Sequence, residues 1–148
     1  MNTAEIETVL QAYCKPGIFR GVYPCDELPH AEDGIYVCNT DPASQPGEHW
    51  VCIWLFGMKC EYFDSYGFGP HVQHITDFIH NNAKHVEYNN RCLQSVNSSV
   101  CGHYVIYFAM CKSRGLTLRE IISKFSLNSQ INDQLVFEYV CQLTGQCL

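Results

Sequence analysis

The sequence predicts an α+β domain: a small mixed or antiparallel central sheet, one buried central helix, and further helices before, between and after the strands. Three observations lead there. Short β-rich runs punctuated by Pro, Gly and Ser fill much of the first half of the chain, and helical periodicity dominates the second. One run, 100–112, is apolar nearly all round, as a helix enclosed on every side requires. At 148 residues the chain fits one domain, residues 1–148, since domains hold roughly 100–200 residues.

Each element has its own signal. Asn2 with Glu5 three residues on predicts an N-cap, and Ile6, Val9, Leu10 and Tyr13 share one helical face until Pro16-Gly17 ends it. Strands follow at 19–23, 35–39, 49–56 and 60–63, separated by turn-rich segments such as DPASQPGE, and they are expected to be antiparallel neighbours. Pro70 suits a first helical position before Val72, Ile75, Phe78 and Ile79, and a further strand is expected at 84–88. After the central helix, Thr117 and Glu120 form a capping box before Leu118, Ile121, Ile122 and Phe125. Ser129 is positioned to cap a last helix bearing Leu135, Val136, Tyr139 and Val140. Repeats, low-complexity tracts and a domain linker are absent.

Composition narrows the function. With 47% hydrophobic and 16% charged residues the chain is expected to fold by itself. No apolar run approaches the ~18 residues of a membrane span, and the start, MNTAEIETVLQ, has no basic stretch leading into an apolar one. A soluble intracellular protein without a membrane partner is expected. The ten cysteines contain no CxxC, so they read as reduced thiols and no metal site is expected. His71 and His74, spaced i, i+3, read as a solvated helix face. The net charge of −6 argues against a nucleic-acid partner, because phosphate neutralisation by Lys and Arg supplies most of that affinity.

The chemistry-bearing stretch is QSVNSSVCGHYVIYF, where polar residues give way to the central helix and Cys101 stands at the junction. A thiol in the first turn of a helix faces unpaired backbone N–H groups and the positive end of the dipole, both of which favour thiolate. Ser98 or Ser99 is a candidate cap, and Gly102 admits close approach of another backbone or a substrate. Nucleophilic cysteine chemistry also needs an imidazole and a group that fixes its tautomer. His49 opens one predicted strand and Asp64 closes the next, so a tight hairpin would bring them side by side. Gln94 offers an amide donor, with the Cys101 N–H as companion, for an oxygen that turns negative in acyl transfer. His103, two residues after Cys101, points away at ~100° per residue and is not the base.

The blocks GEHWVCIWL, KCEYFDSYGFG and LQSVNSSVCGHYVIYFAM resemble the His-Trp, acid and Gln-to-Cys blocks of the adenovirus maturation protease family, adenain, whose wider relatives are the SUMO-type ubiquitin-like-protein proteases. GVYPCDELP, YVCNTDPASQPGEHW and SLNSQINDQLVFEYV extend the likeness over most of the chain. The resemblance implies a rearranged papain-type fold and a cysteine endopeptidase with Cys101 as nucleophile, His49 as general acid/base, Asp64 orienting it and Gln94 in the oxyanion hole. It implies no cofactor for the chemistry, and polypeptide substrates, namely viral structural precursors cut near glycine. A virion or host nucleus would be the setting, and a monomer is expected. A short activating viral peptide is implied as partner, with Cys92 in NNRCLQS at the position of its disulfide tether. DNA, the family's other activator, is not expected for so acidic a chain. The family is longer, with the region between the central and last helices reduced here to KSRGLTLREIISKFSLNS. Two other readings compete: an isopeptidase removing ubiquitin-like modifiers after Gly-Gly, and a non-catalytic interaction module on the same fold.

Overall fold

The structure, a computed structural model, describes residues 1–148. The Asn2 and Glu5 side chains cap each other's backbone N–H groups at 2.9 and 2.8 Å, starting helix α1 (Thr3–Tyr13). Ile6, Val9 and Leu10 are buried, whereas Tyr13, the last helical residue, is 44% exposed.

Five strands follow: β1 (Phe19–Pro24), β2 (Gly34–Asn39), β3 (Trp50–Phe56), β4 (Lys59–Phe63) and β5 (His85–Tyr88). They lie in chain order in one sheet. β2, β3 and β4 are antiparallel as expected, but β1 runs parallel to β2 and β4 parallel to β5. The reason lies in the connections. A 3-10 turn at Cys25–Glu27 and the loop after it carry the chain back before β2, and helix α2 (Gln73–Asn82) does the same before β5. The β3–β4 hairpin closes through Gly57 and Met58, both at positive φ (53° and 69°), the primed two-residue turn whose twist matches the strands.

Strand alternation splits the core. Ile35, Val37, Trp50, Cys52 and Phe63 pack against α1 and against the later helices α3 (Cys101–Ser113), α4 (Leu118–Ile122) and α5 (Ser129–Thr144). Tyr36, Cys38, Val51, Ile53, Leu55, Cys60 and Tyr62 face Ile75, Phe78 and Ile79 of α2 on the other side. All thirteen residues of α3 are buried. That includes Lys112, whose ammonium bonds the Glu61 carboxylate and sits 3.9 Å over the Trp54 ring, while the other Glu61 oxygen accepts the Leu118 N–H at 3.2 Å. Buried charges persist only when paired in this way.

Each strand differs from the sequence reading by one residue at one end, so that His49 stands just before β3 and not on it, and two helix starts differ as well. α2 begins at Gln73, three residues after Pro70, because its hydrogen bonding starts from the Val72 carbonyl. α5 is capped by Asn128, whose Oδ1 accepts from Gln130 and Ile131, and Ser129 is the first helical residue. No helix is long and apolar enough to cross a membrane.

Candidate active site

The hairpin is what joins His49 to Asp64. Its register pairs Cys52 with Phe63, and continued past the end of the ladder it sets Tyr66 opposite His49. The two rings indeed lie 5.1 Å apart, tilted by 31°. Asp64, immediately after β4, is wholly buried, and its Oδ1 accepts from His49 Nε2 and from the Tyr66 backbone N–H, both at 2.8 Å. Asn89, just beyond β5, clamps the Asp64 backbone: its Oδ1 accepts the Asp64 N–H at 3.1 Å and its Nδ2 donates to the Asp64 carbonyl at 2.6 Å.

Cys101 opens α3 and is 9% exposed. Since Asp64 occupies Nε2 of His49, the remaining ring nitrogen is Nδ1; the Cys101 thiol lines the same cavity as the imidazole and bonds the Glu48 carbonyl at 3.8 Å. The electrostatics of the two groups agree. Burial acts to lower the His49 pKa, but the Asp64 carboxylate and the Cys101 sulfur together outweigh it and push the value up to about 9. Burial would raise the Cys101 thiol, yet the neighbouring His49 imidazole and the Trp50 and Gly102 backbone N–H groups bring it below the ordinary thiol value. Each shift favours a thiolate facing an imidazolium.

The cap expected from Ser98 or Ser99 does not form. Val100 is the N-cap and makes no side-chain bond, and Ser98 Oγ donates to the Ser95 carbonyl at 3.1 Å instead. The first-turn N–H groups of α3 are therefore not quenched by a capping side-chain oxygen and remain able to face negative charge. Gly102 does provide room, though for Met1: a Cβ there would sit 3.1 Å from Met1 Cβ and 3.2 Å from its Sδ.

Gln94 is also brought to the site. Its Oε1 accepts from Ser65 Oγ at 2.6 Å and its Nε2 donates to the Ser98 carbonyl at 3.0 Å, which leaves the second amide hydrogen without a protein partner. Ser65, next to Asp64, also accepts the Leu93 and Gln94 backbone N–H groups, so one turn positions both the carboxylate and the amide. A cavity of ≈ 380 Å³ is lined by His49, Trp50, Tyr66, Gln94, Ser98 and Cys101, among others. It shares Met1, Gly47 and Trp50 with a neighbouring depression of ≈ 410 Å³, which extends the groove past the ends of β1 and β2.

Cys92 is exposed on the loop leading to Gln94, its thiol 3.4 Å from the Gln94 carbonyl. His103 faces the other way, bonded through Nε2 to the Leu148 carbonyl at 2.9 Å and packed on Phe137. His71, His74 and His80 stand in solvent, and no three His, Cys, Asp or Glu side chains are grouped to hold a metal. Sequence reasoning missed Ser65, Tyr66 and Asn89. Tyr66 was reachable from the hairpin register, whereas Ser65 and Asn89 carry no signal before the tertiary contacts exist.

No protein-family profile matches the sequence, and no curated protein does. Solved structures to which the chain is similar include the following three. The ASFV pS273R protease aligns over 69% of this chain and 43% of its own, with 20% identity and a TM-score of 0.44. ChlaDub1 from Chlamydia trachomatis aligns over 66% and 47%, with 15% identity and a TM-score of 0.49. The SUMO protease Ulp1, in a form with its catalytic cysteine oxidised to a sulfonic acid, aligns over 72% and 54%, with 16% identity and a TM-score of 0.33. The chain thus spans about half the length of these proteins.

Proposed function

We propose that the protein is a cysteine endopeptidase with Cys101 as nucleophile, His49 as general acid/base and Asp64 as the orienting carboxylate. One observation supports this above all: a thiol in the first turn of a buried helix lines the same cavity as an imidazole that is bonded at 2.8 Å to a buried carboxylate. The Cys101 thiolate attacks a peptide carbonyl carbon. The resulting oxyanion is met by the free Gln94 amide hydrogen and the Cys101 N–H. The His49 imidazolium gives its Nδ1 proton to the departing amine, leaving a thioester. Neutral His49 then takes a proton from water, hydroxide adds to the thioester carbonyl, and collapse releases the acid and restores the thiol.

The substrates in this reading are viral structural precursors, cut next to small residues. The motif blocks around His49, Asp64 and Cys101 support it, as does a groove hemmed by Trp50, Met1 and Tyr66, which suits residues without bulk beside the scissile bond. A short activating peptide, held by a disulfide to exposed Cys92, completes the proposal. The test exposes a proteome-derived peptide library to the chain and reads the new termini by mass spectrometry, with Cys101→Ala in parallel. Cleavage that vanishes in Cys101→Ala, with glycine enriched beside the cut, is expected. Cleavage equal in both proteins, or none even with added Cys-containing activator peptides, refutes it. A ubiquitin-like fusion cut only after its Gly-Gly would transfer the assignment to an isopeptidase.

A further inference from the structure

Outside the cleft, the end of α5 brings two thiols together. Gly145 adopts φ 73°, and its N–H donates to the Cys141 carbonyl at 2.8 Å, the left-handed stop that reverses a chain after a helix. Thr144 Oγ1 fastens the reversal, donating to the Val140 carbonyl at 2.8 Å and accepting the Gln146 N–H at 3.1 Å. Residues 145–147 then fold back along the last turn of α5, and Cys147 Sγ lies 2.6 Å from Cys141 Sγ. Both are free thiols here, Cys147 exposed and Cys141 half-buried. Of the ten cysteines, this is the one pair joined by a thiol–thiol hydrogen bond, and Cys14, Cys25, Cys38, Cys52, Cys60 and Cys111 are buried.

We propose that Cys141 and Cys147 form a reversible intrachain disulfide that staples the tail to α5. The inference is independent of any peptidase activity. A small-molecule disulfide such as oxidised glutathione is the oxidant. The Cys147 thiolate attacks one of its sulfurs, the S–S bond breaks, and one glutathione leaves as thiolate and takes up the proton Cys147 lost. Cys141 then gives up its proton and attacks the Cys147 sulfur of the mixed disulfide, expelling the second glutathione. Two protein thiols are oxidised and one glutathione disulfide is reduced to two thiols. The hydrogen bond to Cys147 pushes the Cys141 thiol up to about 11, so the first attack falls to exposed Cys147. Because the turn already holds Cys141 against its partner, the second step is intramolecular at high effective concentration and outruns a second glutathione. The staple has a structural consequence. Leu148, the residue after Cys147, accepts the His103 Nε2–H bond, so fixing the tail also fixes a partner of α3 one half-turn from Cys101.

Trypsin offers a direct readout, since cleavage after Lys124 releases residues 125–148, a peptide whose only cysteines are Cys141 and Cys147. The native chain is incubated with oxidised glutathione, alkylated and digested without reductant. The expected peptide has the mass of the reduced form less two hydrogens and carries no alkyl group, and dithiothreitol restores both labels. The oxidised protein should melt about 5 °C higher, from the unfolded-chain entropy lost on closing a short ring. Cys147→Ser should show neither change. A peptide bearing two alkyl groups, any glutathione adduct at equilibrium, or a link between two chains overturns the proposal. A bond formed without a rise in Tm overturns the stapling.

Discussion

Replacing Asp64 by Asn removes the charge while keeping the shape, and the structure sets the size of the effect. His49 is raised from an ordinary 6.5 to about 9, with Asp64 foremost among the groups that raise it. That difference of about 2.5 pH units corresponds to roughly 3.4 kcal/mol favouring imidazolium. The His49 side chain is 19% exposed, so solvent screening takes only a modest share. Without the carboxylate, burial acts against His49 with only the Cys101 sulfur opposing it, and the thiolate–imidazolium pair loses most of that support. A fall in kcat/KM of about 300-fold near pH 7.5 follows if the whole amount is lost. The pH profile is the decisive assay. In the wild type the alkaline limb reports loss of the imidazolium near pH 9, and in Asp64→Asn it should move down by about 2 pH units. Stability moves in step: a raised histidine pKa stabilises the fold fully below about pH 6.5 and not above about 9. The variant should therefore lose Tm at pH 6 and much less at pH 9.5. An unmoved alkaline limb, or a rate within a few-fold of wild type, would refute the coupling of Asp64 to His49.

Gln94→Ala should lower kcat by about 10²–10³-fold with little change in KM, as removal of an oxyanion donor does; an equal loss confined to KM would place Gln94 in ground-state binding instead. Glu61→Gln leaves the Lys112 ammonium buried without its counter-charge and should cost about 3–5 kcal/mol by denaturant unfolding, and Glu61→Leu with Lys112→Met should recover much of that. Asn89→Ala unpairs the buried Asp64 backbone, with an expected cost of about 1–3 kcal/mol and a loss of kcat that Asn89→Asp, which keeps only the acceptor, does not fully restore. Phe108, stacked at 4.6 Å on Phe63 between α3 and the sheet, should cost about 3–5 kcal/mol when cut to Ala, read from the same unfolding curves.

Much of the fold was legible because its signals are local. The Asn2–Glu5 and Thr117–Glu120 boxes, the all-round apolar run of α3 and the strand alternation depend on neighbours within a few residues. The same holds for His49 and Asp64, whose meeting needs only one tight hairpin. The parallel pairings of β1 with β2 and β4 with β5 were not legible, since they depend on how far each connection travels back before the next strand enters. The cap of α3 was misread for a related reason: Ser98 spends its hydroxyl on Ser95 within a loop whose path Gln94 and Ser65 determine.

The sequence by itself determined which nucleophilic, basic, acidic and amide residues are present and the elements that bear them, because capping, periodicity and turn chemistry act over a few residues. Only the tertiary structure decided which nitrogen of His49 meets Asp64, that Asn89 and Ser65 hold the turn between them, that Lys112 is buried against Glu61, and that Cys147 returns to Cys141. Those outcomes rest on hydrogen bonds and desolvation between segments far apart in the chain, and such energies exist only once the core has closed.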